Sequence, residues 1–158
     1  MGRNAVELEF SALTEADLGA CAEVFVEAFG GAPWNEPWAW EQARRRLAEA
    51  LGTPAALGVA VRRRGQAVGF ALGFGEQGYD GRVFYLKEMA VRPAGQRRGT
   101  GRVLLRRLEE RVRQRGYRQL YLLTRRGTPA LEFYLGEGFR ESARTLLLSK
   151  GLQEAASR

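Results

Sequence analysis

The stretch that most constrains this chain is Phe84 to Leu108, FYLKEMAVRPAGQRRGTGRVLLRRL. Phe84 to Val91 is apolar and β-prone, interrupted by Lys87 and Glu88, and Pro93 ends it because proline lacks a ladder donor. Gly95, Gly99 and Gly101 follow, and from Val103 the apolar residues Val103, Leu104, Leu108 and Val112 keep a helical spacing. The reading is strand, basic loop, helix. A helix start presents unpaired N–H groups and the positive end of the helix dipole. Glycines there let an anion reach the backbone. Arg97, Arg98 and Arg102 add charge and bidentate donors. Together these features predict a pyrophosphate cradle. A dinucleotide fingerprint would need glycine where Leu104 stands, and a P-loop would need a Gly-Lys-Ser/Thr run.

The rest of the sequence narrows the chemistry. With 158 residues, 45% of them hydrophobic, the chain suggests one domain over 1–152, with 153–158 a flexible tail. No apolar run approaches the roughly 20 residues of a membrane span. The start MGRNAVELEF lacks a signal-peptide core, so the expected location is cytoplasmic. The absence of histidine removes Ser-His-Asp, Cys-His and histidine-metal arrangements, and a single cysteine, Cys21, leaves no disulfide or thiolate cluster. No metal is expected. The net charge of +7 is local: Arg92 to Arg118 alone carries ten arginines against two glutamates.

In chain order, Leu8 and Phe10, with Val6 before them, alternate with Glu7 and Glu9 as a first strand. Thr14 and Asp17 form an acidic capping pair for a helix whose stripe includes Leu18, Cys21, Phe25 and Phe29. Ala32 to Trp40 holds all three tryptophans. Trp40 reads as core, at the head of a stripe through Ala43, Leu47 and Leu51. Trp34 and Trp38 have two readings, wall of an acceptor pocket or clamp holding the loop on the sheet. Leu57–Val61 and Val68–Phe74 read as a hairpin, with Gly69, Gly73 and Gly75 marking bulges or close approaches. Gly78 to Gly81 is a turn. Gly116 ends the main helix, Leu120–Thr124 is a strand, and Pro129 starts a short helix. Phe139 onward and Thr145–Ser149 are expected to form a closing hairpin. The order βααβββαβαββ predicts an α/β (α+β) chain, with a mixed, mostly antiparallel central sheet flanked by helices.

Gln96-Arg97-Arg98-Gly99-Thr100-Gly101, after Val91-Arg92-Pro93, resembles the Q/R-x-x-G-x-G/A acyl-CoA motif of the GNAT superfamily of N-acetyltransferases. Ala130 to Phe139 is similar to that family's A-x-x-F-Y-x-x-x-G-F segment, and the order of elements agrees too. The resemblance implies transfer of an acetyl group from acetyl-CoA to a primary amine. It implies that Met89, Ala90 and Val91 hold the pantetheine, while Gln96, Arg97, Arg98, Gly99, Thr100, Gly101 and Arg102 take the pyrophosphate. Tyr134 falls at the family's general-acid position, where it would also touch the CoA sulfur. A homodimer follows from family habit. A bulge in the central strand would free an N–H for the developing oxyanion.

An alkylammonium must lose a proton before it attacks. Glu88, beside the expected thioester, is the candidate base; its other reading is a carboxylate paired with an arginine. Glu76 and Asp80, placed in the neighbouring loop, are candidates for binding the cationic acceptor or for substituting as base. Two positions depart from the family pattern: Gly127 stands where many relatives have asparagine, and Leu120–Thr124 lacks a glutamate. The rival readings are a non-catalytic acyl-CoA-binding module and an arginine helix that binds nucleic acid. The second is disfavoured because the helix lacks aromatics for stacking.

Overall fold

The computed structural model describes residues 7–96 and 98–153. Five strands, β1 (Leu8–Ala12), β2 (Ala56–Arg63), β3 (Gln66–Gly78), β4 (Gly81–Val91) and β5 (Gln119–Tyr121), lie side by side in chain order. The first four are antiparallel, and β5 joins β4 in parallel. Helices α1 (Leu18–Gly30) and α2 (Trp40–Leu51) bury Cys21, Ala22, Phe25, Ala43 and Leu47 with Phe70, Leu72 and Ala90. Helix α3 (Thr100–Gln114) buries Leu104, Leu105 and Leu108 with Val59, Ala71, Phe84 and Leu86, and α4 (Pro129–Gly136) lays Phe133 and Tyr134 beside that group. The core is thus two apolar layers separated by the sheet.

Local chemistry explains the joints. The Asp17 carboxylate accepts the Thr14 backbone N–H at 2.8 Å and pairs with Arg62, so the expected capping pair forms, ahead of a 3-10 turn at Glu15–Asp17. Burial alone would raise the Asp17 pKa, but these partners outweigh it and hold it below the usual range. Burial pushes the Cys21 thiol up to about 12, which suits an inert core residue. A Cβ on Gly73 would lie 2.0 Å from the Tyr85 carbonyl oxygen, and one on Gly75 1.8 Å from the Tyr117 hydroxyl. These two glycines mark close approaches.

Some expectations need correction. Trp40 is not core: its side chain is 41% exposed and its indole N–H donates to the Gly19 carbonyl at 3.1 Å. Strand β5 stops at Tyr121, and β3 runs on through Gly78, so Glu76 belongs to a strand and not to a loop. The closing hairpin is absent from the described residues, so the order βααβββαβα ends there without its last two strands. Leu146, Leu147 and Leu148 are 76–86% exposed. Three adjacent leucines lack the period-2 alternation of a one-sided strand, and a three-residue β5 offers them little edge. Val6, Arg97 and residues 154–158 of the expected tail lie outside the described residues.

Candidate active site

The site begins with a defect in β4. Leu72 pairs with Glu88 and Gly73 with Leu86, so Lys87 is an extra residue, a β-bulge. The bulge resets which side chains face which layer. Before it, Phe84 and Leu86 face α3; after it, Met89 and Val91 face α3, while Ala90 joins the layer under α1 and α2. Glu88 is thereby turned toward α2, onto the face its even-numbered neighbours Phe84 and Leu86 do not share. The bulge also bends the strand. Pairing with β5 covers only Val83 to Tyr85, so from Leu86 to Val91 that edge of β4 has no strand beside it among the described residues. The result is a slot of unpaired backbone with Glu88 next to it.

Glu88 is 7% exposed. Burial raises its pKa; the charge and hydrogen bond of Arg46 and the charge of Lys87 pull it down, and Glu36 adds to the rise. Burial wins, leaving a carboxyl above its ordinary range. Arg46, from α2, donates its Nε–H to Glu88 Oε1, and its guanidinium lies 5.4 Å from the centre of the Trp38 ring. Trp38 packs edge-on against Phe25 and donates its indole N–H to Glu36 at 2.8 Å. Trp34 sits edge-on to Phe29 under the Arg125 guanidinium, which reaches Glu36 at 3.3 Å. Both tryptophans thus pack against α1 aromatics, as the clamp reading expects, and each lies under an arginine, Arg46 over Trp38 and Arg125 over Trp34.

Tyr134 approaches from the other layer, its ring edge-on to Phe133 at 5.2 Å and Phe139 at 5.4 Å. Burial pushes its phenol far up, and the charge of Glu88 adds to this. Among the described residues its hydroxyl makes no hydrogen bond. A buried carboxyl, and a phenol whose proton affinity that carboxyl raises further, thus stand on either side of the open edge of β4.

The phosphate loop lies at the end of that slot. Gly99 caps α3 in the left-handed region, φ 82°, and no side chain caps the helix. A Cβ on Gly99 would meet nothing within 4 Å. The neighbouring Thr100 hydroxyl is buried without a partner. Bare N–H groups, a glycine approach and an orphaned hydroxyl are what an incoming phosphate satisfies. Gly101 faces Phe133 and Met89, joining helix start, strand and α4. Gln96 spends its side chain on the Val91 carbonyl at 2.9 Å, which ties the loop to the strand end. Arg102 pairs with Glu137 at 3.2 Å, and Arg98 is exposed. This donor set fits acetyl-CoA: Arg98 to Arg102 would hold its phosphates and Met89 to Val91 would flank its thioester arm. Among the described residues no three His, Cys, Asp or Glu side chains gather to hold a metal.

The structure does not bring every candidate together. Asp80 sits at the β3–β4 turn, eight positions from Glu88 and seven once the bulge residue is discounted, about 23 Å along the strand. Glu76 accepts the Tyr121 hydroxyl at 3.1 Å, and Tyr121 stacks on Tyr85 at 4.8 Å, so it joins the aromatic rim. Arg46 and Glu36 were missed, because no motif links α2 or the tryptophan loop to β4. The one available signal was that Arg46 flanks the buried stripe of Ala43, Leu47 and Ala50. No helix is long and apolar enough to cross a membrane among the described residues.

Known structures share this fold. An aminoglycoside N-acetyltransferase, AAC(6')-Iy, solved with CoA, matches with TM-score 0.76 at 17% identity, over 95% of this chain and 99% of that one. A soil-metagenome aminoglycoside acetyltransferase in complex with sisomicin matches with TM-score 0.72 at 17% identity, over 92% and 97%. Ribosomal-protein-alanine N-acetyltransferase from Brucella melitensis biovar Abortus 2308 matches with TM-score 0.72 at 14% identity, over 92% and 100%. At these identities the likeness is one of fold. A search of curated protein sequences finds no match. A profile of the Acetyltransferase (GNAT) family matches residues 18–139, most of the chain and all of the site, and the protein belongs to that family.

Proposed function

We propose that this enzyme moves an acetyl group from acetyl-CoA to a primary amine by direct attack on the thioester, within one domain over 1–152. The observation that carries the reading is the pair Glu88 and Tyr134 flanking the open edge of β4, in line with the uncapped start of α3. Bound acetyl-CoA supplies the activated acetyl group. The N–H groups at the start of α3, with Arg98 and Arg102, hold the phosphates, and the bare edge of β4 orients the arm. Glu88, ionised, takes the proton of the acceptor's ammonium and leaves a nitrogen lone pair to bond the acetyl carbon. As the carbon–sulfur bond breaks, Tyr134 donates a hydrogen bond to the sulfur. Its raised pKa keeps the phenol neutral, which favours stabilising the thiolate over giving up the proton outright. Water carries that proton from Glu88 to solvent, the nitrogen gives up its second proton by the same route as the adduct collapses to the amide, and CoA would leave as a thiolate that solvent protonates.

The acceptor we propose is a small polycationic amine. Glu36, Glu76 and Glu88 alternate with the faces of Trp38, Tyr85 and Tyr121, the chemistry that recognises organic cations. A homodimer is the proposed assembly, supported by the exposed run Leu146–Leu148 and the outer edge of β5, which pairs with no strand among the described residues. The test is release of free CoA from acetyl-CoA with spermidine, sisomicin and an alanine-ended peptide, comparing wild type with Glu88→Gln and Tyr134→Phe. Amine-dependent release that falls in both variants is expected. Tight CoA binding with no amine-stimulated release would favour a non-catalytic acyl-CoA module.

A further inference from the structure

We propose that Arg46 is a placeholder for the acceptor's ammonium group, occupying the face of Glu88 that the amine must reach until the amine displaces it. The proposal rests on Glu88 being the base. Its foundation is geometric. Arg46 donates Nε–H to Glu88 Oε1, and the same guanidinium lies over the Trp38 ring. Glu36 fixes that ring through the indole N–H. A guanidinium leaving Glu88 thus keeps an aromatic face and a second carboxylate within reach, so displacement does not strand a charge.

Exposure sets which partner moves. The Arg46 side chain is 40% exposed, whereas that of Glu88 is 7% exposed. The cation can swing into water and the carboxylate cannot. The second cation in this region repeats the arrangement, with Arg125 over Trp34 and against Glu36. A carboxylate beside an indole face is a general receptor for an organic cation, and here an arginine of the chain already fills it.

The exchange has a chemical consequence. The groups that bear on Glu88 are Arg46 from α2, Lys87 beside it on β4 and Glu36 from the tryptophan loop, while the neutral phenols Tyr85 and Tyr134 face it and feel its charge. Arg46 is the largest influence that lowers the carboxyl's proton affinity; burial works against it. When an amine replaces Arg46, the lowering partner becomes the group whose proton must leave. Arg46 therefore favours the ionised carboxyl at rest, and its departure leaves Glu88 a stronger base once the acceptor is seated.

The test is Arg46→Met, which keeps the length and apolar stem of the side chain. With whichever of spermidine, sisomicin or the alanine-ended peptide turns over, KM for the amine falls about fivefold, the scale of one half-exposed ion pair. The acidic limb of kcat/KM moves to higher pH, because burial then acts on Glu88 unopposed. A KM that rises together with an unmoved limb overturns the proposal and leaves Arg46 a structural residue. If no amine turns over in wild type, the transfer reading fails, and a second measurement decides for Arg46. In wild-type protein the side-chain Nε–H signal of Arg46 is followed by nitrogen-15 NMR against methylammonium chloride and against sodium chloride at equal ionic strength. Loss of the Glu88-bonded signal at lower methylammonium than sodium supports displacement. Equal response to both salts overturns it.

Discussion

Replacing Glu88 by glutamine separates catalysis from stability, because the two effects have opposite signs. The amide keeps the size of the side chain, and its oxygen still accepts the Arg46 Nε–H. What is lost is the ability to take a proton. A positioned general base is worth about 10²- to 10⁴-fold, so kcat/KM should fall by that factor, about 3–5 kcal/mol of barrier. The stability sign follows from the raised pKa of Glu88. A carboxyl whose folded pKa lies above its unfolded value stabilises the fold at low pH, and loses that contribution as pH rises through the folded value. At about pH 8, above the ordinary carboxylate range, wild type carries the full cost of a buried charge and the glutamine variant carries none. Its Tm should equal or exceed that of wild type there, and the difference should close as pH falls toward about 4. The assays are CoA release over a pH series and thermal unfolding at both ends of it. In wild type the acidic limb of kcat/KM should lie above the usual carboxylate range. A variant that keeps most of the wild-type rate would refute the base assignment. One that is inactive because its Tm has dropped at about pH 8 would refute the burial argument instead.

Tyr134→Phe removes one hydroxyl and keeps the ring packing against Phe133 and Phe139, so kcat should fall roughly 10- to 100-fold, the worth of a hydrogen bond to a charged group, with Tm little changed. Gly99→Val places a branched side chain at φ 82°, where it is strained, and at the mouth of the phosphate cradle. CoA affinity measured by calorimetry should weaken at least tenfold, and retained affinity would move the phosphates elsewhere. Gly75→Ala drives a methyl against the Tyr117 hydroxyl and should cost about 1–3 kcal/mol in urea unfolding. Leu147→Asp in the exposed leucine run should shift sedimentation from dimer to monomer; a wild type that is monomeric at all concentrations would remove the dimer.

Much of this fold was legible because local signals agreed with it. Pro93, Gly99 and the α3 stripe placed the strand–loop–helix unit correctly, and the Thr14–Asp17 pair marked the start of the α1 region. The sequence also located a carboxyl and a phenol near one strand. It did not reveal which way Glu88 points. Alternation along β4 places Glu88 with Phe84 and Leu86, and only the extra residue at Lys87, visible in the pairing with β3, turns it toward α2. Arg46 and Glu36 were hidden for a related reason: contacts between distant segments leave no periodicity to read. Trp40 was misassigned because its ring packs over Gly19 at the surface, where a stripe pattern reads as burial. The leucine run reads as a strand on apolar content alone, but a strand also needs an edge to pair with, which residue-by-residue content does not specify.

The central claim is that this slot joins an acetyl group to an amine nitrogen. Its most direct test is mass spectrometry of the products formed from acetyl-CoA and each of spermidine, sisomicin and the alanine-ended peptide. The account predicts an N-acetylated amine formed in step with free CoA, and its loss in the Glu88→Gln, Tyr134→Phe double variant. Free acetate as the only product, or an acetylated amine formed equally well by the double variant, would contradict it.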